Sequence, residues 1–158
     1  MYVLSYYERF SDVKRAVHYH KFIDDLNRSN ALPERLRITN AETPLTEEQV
    51  QKHFAMIDTH SAAIVTNEKD AVKRFARAMD FYLVQDFSSS MEDLTQAILQ
   101  DDTFYPAYFM RALVRCKQLE YQRAEELQNA TVVMGVPTKP EVSAMDYDIV
   151  KSDLNQVI

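Results

Sequence analysis

A short pattern that occurs twice constrains the fold of this chain more than any other feature. The pattern Phe-x-Arg-Ala stands at residues 75–78 and again, 34 residues later, at residues 109–112. Phe87 has an aromatic counterpart in Tyr121 at the same spacing. A fixed period of about 34 residues is typical of stacked units of two helices joined by a turn. The sequence therefore predicts an all-α fold built from antiparallel helix pairs.

Composition agrees with that prediction. The 158 residues include one glycine and five prolines, which leaves few turn signals and favours long helices with short connections. A chain of this length is expected to form a single domain, residues 1–158. No Gly/Ser/Pro-rich tract divides it.

Charge and cysteine content exclude several classes of protein. The net charge of -6 argues against a phosphate-binding surface for nucleic acid. The single cysteine, Cys116, excludes an intrachain disulfide and a multi-cysteine zinc site. No apolar run approaches the length of a membrane span, and no signal peptide is visible. The compartment is not indicated.

The first part of the chain, residues 1–45, carries no repeat motif. Ser11 can cap a helix that runs to about Ser29, and Leu36–Thr39 has the alternation of a short strand that would pair with residues 2–6. A repeat-like helix follows in residues 46–70, where Thr46 and Gln49 form a capping box and the helix runs to about Val65.

Residues 75–104 (FARAMDFYLVQDFSSSMEDLTQAILQDDTF) resemble a unit of the tetratricopeptide repeat family, which includes many bacterial proteins. Ala78 and Ala97 match its small contact residues, and Phe81 and Leu94 match its larger ones. Ser90 departs from the alanine that is usual at its position. The resemblance implies an α-solenoid of antiparallel helix pairs, with residues 71–104 as the first clear repeat. Its helices are expected at about Ala71–Val84 and Ser88–Gln100, with Ser88 or Asp86 as the cap of the second.

The second repeat, residues 105–158, is expected to contain an insertion. Residues 93–98 return as residues 153–158, an offset of 60 instead of 34. The tract at residues 131–142 holds the only glycine and two prolines, so it cannot hold the first helix of a third repeat. One interpretation has a helix from Tyr105 to about Ala130, a loop, and a last helix from about Ala144. The alternative is a short second helix at residues 121–130.

As the resemblance implies, the first helices of successive repeats present a groove to a partner. The mostly apolar lining favours an amphipathic helix or an aromatic-rich peptide over an acidic C-terminal tail. The chain is then a non-catalytic protein-interaction scaffold. Alternatively, residues 1–45 fill the groove and the chain is a structural or assembly segment of a longer repeat protein. The expected lining is Val72, Phe75, Met79, Tyr82, Leu83, Pro106, Phe109, Leu113, Cys116 and Lys117.

Histidines give no convincing metal site. His18 and His20 point to nearly opposite sides of a helix, and His20 with Asp24 is a weak candidate pair. His53 and His60 share one face but lie two turns apart, which favours packing roles. We predict no metal and no cofactor.

The two repeated arginines, Arg77 and Arg111, are expected to pair with acids between repeats, the candidates being Asp80, Asp101 and Asp102. The sequence contains no phosphate-binding loop and no pair of acids placed to converge on one substrate, so an enzyme is disfavoured. The last helix lacks a polar capping helix after it, which predicts self-association through that end or continuation of the repeats.

Overall fold

The computed structural model describes residues 21, 23–32, 36, 44–130 and 144–157. These residues form helices and turns, and no strand occurs among them, so the all-α prediction is confirmed for this part of the chain. Most of the strand pairing proposed for residues 2–6 and Leu36–Thr39 lies outside the described residues. Leu36 itself lies in a 3-10 turn.

Helix α1 spans Glu47–Thr66 and begins as the sequence predicts. The hydroxyl of Thr46 accepts from the backbone N–H of Gln49, and the Gln49 side chain accepts from the backbone N–H of Thr46. Glu47 and Glu48 add negative charge to the first turn, where the helix dipole favours it. The capping box therefore fixes this boundary locally.

Helices α2 (Ala71–Leu83) and α3 (Phe87–Gln100) form an antiparallel pair joined by three residues. Asp70 caps α2 and Asp86 caps α3, each accepting a backbone N–H three residues on. The two helices approach closely at Ser90, which is fully buried and donates its hydroxyl to the Ala78 carbonyl at 2.8 Å. That bond explains how serine is accommodated where the repeat family has alanine.

The turn after α2 is made without glycine. Gln85 has φ 66°, in the left-handed region that non-glycine residues enter at a cost of about 1–2 kcal/mol. Its N–H donates to the Tyr82 carbonyl, and the Asp86 N–H donates to the Phe81 carbonyl. This bonding pattern is that of a Schellman cap, whose left-handed position is usually glycine. The cap sharply reverses the chain into α3.

Helix α4 runs without a break over Tyr105–Ala130, so the alternative of a separate short helix at residues 121–130 is wrong. A 3-10 turn, Ala144–Tyr147, then leads into α5, Asp148–Val157. At about 1.5 Å per residue, α4 is about 39 Å long, roughly twice the length of α2. The side chains of residues 122–125, in the last part of α4, are exposed.

Each helix from α1 to α5 packs against the next in chain order. Phe75 and Phe104 meet edge to face inside the core, with ring centroids 5.2 Å apart. Small residues, including Ala97 and Ala107, are fully buried between the larger ones and let the helices approach. Within the described ranges no helix combines the length and apolarity required to cross a bilayer.

Candidate functional site

Arg77 joins three consecutive helices. Its Nε and Nη2 donate to the two carboxylate oxygens of Asp93 on α3, both at 2.7 Å. Its Nη1 donates to the Ser61 hydroxyl on α1 at 3.0 Å. Asp93 is 2% exposed, so this fork-shaped contact lies in the interior, where charge-assisted hydrogen bonds are strong.

Arg111 makes the same set of contacts one repeat later. Its Nε and Nη2 donate to Asp153 on α5, both at 2.7 Å, and its Nη1 donates to Thr95 on α3 at 3.3 Å. Ser61 and Thr95 are 34 residues apart, whereas Asp93 and Asp153 are 60 apart. Both offsets found in the sequence therefore connect residues with equivalent contacts.

The partners of the two arginines differ from the expected ones. Asp101 accepts from the backbone and hydroxyl of Thr103, and the backbone carbonyl of Asp102 accepts from Tyr108. The hydrogen bond to Asp93 raises the pKa of Arg77 above its ordinary value. The pKa of Arg111 is raised by its bond to Asp153. The guanidinium donors of both arginines are therefore engaged by partners inside the protein.

Asp80, the third expected partner of the arginines, is instead bonded to two histidines. His53 Nδ1 lies 2.7 Å from one carboxylate oxygen of Asp80, and His60 Nε2 lies 3.3 Å from the other. All three side chains are largely buried between α1 and α2. The seven-residue spacing that places His53 and His60 on one face of α1 was the sequence signal for this cluster. It could not indicate Asp80, because that residue lies on α2.

This cluster is a link between helices. Among the residues that the structure describes, no group of three or more His, Cys, Asp or Glu side chains is arranged to hold a metal ion. Of the other residues considered for a metal, Asp24 is exposed, and His18 and His20 lie outside the described residues.

The residues expected to line the groove divide into three groups by exposure. Val72 and Leu83 are 43% and 38% exposed. Met79, Tyr82 and Leu113 are half-buried against the core. Lys117 is also half-buried, with its Nζ 3.5 Å from Glu120. Four others are buried: Phe75, Pro106, Phe109 and Cys116.

Phe75 and Phe109 are both 0% exposed, so in this conformation neither can contact a partner. The two phenylalanines have equivalent burial, and each is a large apolar residue that packs its helix into the core. A partner on this face would meet the rim residues Val72 and Leu83 and the half-buried Met79, Tyr82 and Leu113. We call these five residues the α2/α4 face.

An aromatic row borders this face. The rings of Tyr82 and Phe87 have centroids 5.9 Å apart, and those of Phe87 and Tyr121 are 5.6 Å apart. Tyr121 is 54% exposed. Phe87, at the start of α3, and Tyr121, on α4, are the aromatic residues that recur at the 34-residue spacing. Their rings contact each other directly.

The N-terminal segment, meaning the described part of residues 21–36, contributes to the core. Ile23, Leu26, Leu32 and Leu36 are 4–8% exposed. They belong to the same continuous apolar cluster as Phe75 and Phe109, against which Met79, Tyr82 and Leu113 pack. Residues 23–29 are helical, in agreement with the predicted helix end near Ser29. No motif in residues 1–45 predicted where this segment packs.

Comparison with known proteins adds no family. No protein-family model matches the chain, and neither a curated protein nor a solved structure matches it. The function of the chain is therefore inferred from the contacts described above.

Proposed function

We propose that this chain is a non-catalytic protein-interaction module, an α-solenoid of tetratricopeptide-like helix pairs that binds an amphipathic helix. The pairs are α2 with α3 and α4 with α5, and α1 is the second helix of a preceding pair. The binding surface is the α2/α4 face. The ligand is a helix with one apolar side and a charged opposite side.

The partial exposure of the five apolar residues of the α2/α4 face is the observation that carries this proposal. The N-terminal segment indicates the kind of ligand. Ile23 and Leu26 are buried in the core while Asp24, Asp25 and Arg28 beside them are exposed. A short amphipathic helix of the chain itself is thus packed in the apolar cluster that includes Phe75 and Phe109. Helix-in-groove recognition uses the same spacing of apolar anchors on a partner helix.

The repeated arginine contacts support the solenoid arrangement. Arg77 and Arg111 each connect the second helix of one pair to both helices of the next. Stacked repeats need such contacts, because each pair buries its apolar side only against its neighbours. In the proposed solenoid, α2 and α4 are the first helices of successive pairs, and their outer residues contribute to one binding surface.

A second function is favoured by a different observation. The complete burial of Phe75 and Phe109 supports a structural or assembly element whose groove is permanently filled by its own chain. The two functions differ in whether the α2/α4 face meets a second protein.

Site-specific photo-crosslinking in cells tests the module. A benzophenone amino acid at Val72 or Leu83 is expected to capture a partner, and the captured segment should carry apolar residues at helical spacing. Matched controls are Val65 and Leu99, which are 77% and 73% exposed and lie elsewhere, on α1 and α3. Adducts from the control positions alone, or from none of the four, would refute the module and favour the structural element.

A further inference from the structure

The N-terminal segment has the properties of a built-in ligand. Its helical part presents Ile23 and Leu26, three residues apart, to the core, and Asn27 beside them is 6% exposed. The opposite side carries the exposed residues Lys21, Asp24, Asp25 and Arg28. Residues three or four apart share one helix face, so the segment is amphipathic over its whole described length.

The segment ends in its own cap. The N–H of Leu32 donates to the Asn27 carbonyl, the N–H of Ala31 donates to the Arg28 carbonyl, and the Asn30 side chain donates to the Leu26 carbonyl. Ala31 occupies the left-handed position with φ 49°. This cap turns the chain so that Leu32, like Ile23 and Leu26, is buried.

Resting on the proposed function, we propose that the N-terminal segment is a displaceable, autoinhibitory occupant of the groove, and that the partner helix competes with it. The partner is accordingly a helix with apolar residues at the spacing of Ile23 and Leu26 and a charged outer side. Binding requires the segment to leave the apolar cluster that it shares with Phe75 and Phe109.

Competition with a tethered segment has a measurable consequence. A segment that belongs to the same chain as its site acts at an effective concentration of the order of millimolar. The apparent affinity for a partner falls by the fraction of molecules in which the site is open. Weakening the segment should therefore strengthen binding, whereas damage to the groove should weaken it.

The probe is a fluorescein-labelled peptide with the sequence of residues 21–36, KFIDDLNRSNALPERL, and the control is a peptide of the same composition in scrambled order. Fluorescence anisotropy is measured on the full chain carrying Ile23→Glu and Leu26→Glu. We expect this variant to bind the peptide at least about ten-fold more tightly than the wild type does. Adding Tyr82→Ala and Leu113→Ala should remove most of that gain, and the scrambled peptide should not bind.

Ala31 offers a milder pair of variants, because it is exposed and lies outside the apolar contact. Glycine suits the left-handed conformation and valine opposes it. Native-state hydrogen exchange is expected to show residues 23–32 opening at least about ten times more often than α3 in the wild type. Ala31→Gly should reduce that opening about two- to five-fold, and Ala31→Val should increase it.

Two results would overturn the inference. One is a variant with Ile23→Glu and Leu26→Glu that keeps its helical circular dichroism but does not bind the peptide more tightly than the wild type. The other is hydrogen exchange in which residues 23–32 open only together with α3, in global unfolding. This measurement uses the wild type, so it tests the inference even if the double variant fails to fold. If the peptide binds but photo-crosslinking finds no partner, the segment is displaceable and the proposed function fails. If a partner is captured but the peptide does not bind, the module stands and autoinhibition fails.

Discussion

Removing the carboxylate of Asp93 should be among the most damaging single changes in this protein. Asp93 is 2% exposed and accepts two hydrogen bonds of 2.7 Å from Arg77, and Arg74 Nη1 lies 3.5 Å away. In Asp93→Ala, Arg77 keeps the bond to Ser61 but loses its only described carboxylate contact. A hydrogen bond to a charged group contributes about 1.5–3 kcal/mol, and breaking a buried ion pair costs about 3–5 kcal/mol. We expect a loss of about 3–5 kcal/mol in the free energy of unfolding.

Urea denaturation of a double-mutant cycle measures this loss. The cycle comprises Asp93→Ala, Arg77→Met and the double variant. The double variant should be less destabilised than the sum of the single variants, by about 1–3 kcal/mol, because neither member of the Arg77–Asp93 pair is left without the other.

The cycle of Arg111 with Asp153 is the matched comparison, since the two distances are again 2.7 Å and Asp153 is 1% exposed. A loss below about 1 kcal/mol for Asp93→Ala, or additive effects in both cycles, would refute the argument that these pairs hold adjoining helices together. The pKa values of Arg77 and Arg111 are raised, so their contribution to stability is fully present below the ordinary arginine pKa and is lost only as the pH rises through the folded-state pKa. The coupling should therefore be the same at pH 6 and pH 8.

Three smaller effects are expected. Gln85→Gly should stabilise the protein by about 0.5–1 kcal/mol in urea denaturation because glycine relieves the left-handed backbone, while Gln96→Gly within α3 should destabilise it by about 1 kcal/mol; equal signs would contradict this. Thr46→Ala should lower the free energy of unfolding by about 1 kcal/mol in urea denaturation, because it removes the capping box. The control is Thr46→Ser, which keeps the hydroxyl and should keep the wild-type stability. Asp80→Ala should increase hydrogen exchange in α1 more than in α4, since it deprives His53 and His60 of their shared partner, and uniform exchange would contradict a local role.

The shortage of glycine has a structural consequence. Both described residues with positive φ, Ala31 and Gln85, stand at helix ends where a glycine is usual. Each allows the chain to reverse, after the N-terminal helical residues and after α2. Because α4 continues through the position equivalent to Gln85, Leu119, it becomes the longest described helix.

Local signals predicted the helices well. Thr46 with Gln49 at the start of α1, and Asp86 at the start of α3, each specify a boundary through bonds within a few residues. Such bonds form in the same way whatever the helix later packs against, so the sequence alone reveals them. The offsets of 34 and 60 residues also identified equivalent positions before any contact was known.

The sequence by itself therefore determined that the described chain is helical, where most of its helices begin and end, and which positions correspond between the two halves. Only the tertiary structure decided that Arg77 binds Asp93, that Asp80 binds two histidines, and that Phe75 and Phe109 lie in the same core as the N-terminal segment. The physical reason is the distance along the chain between the residues that interact. Caps and helix periodicity depend on neighbours along the chain, whereas the partner of a buried charge and the cover of an apolar face depend on which distant surfaces pack together.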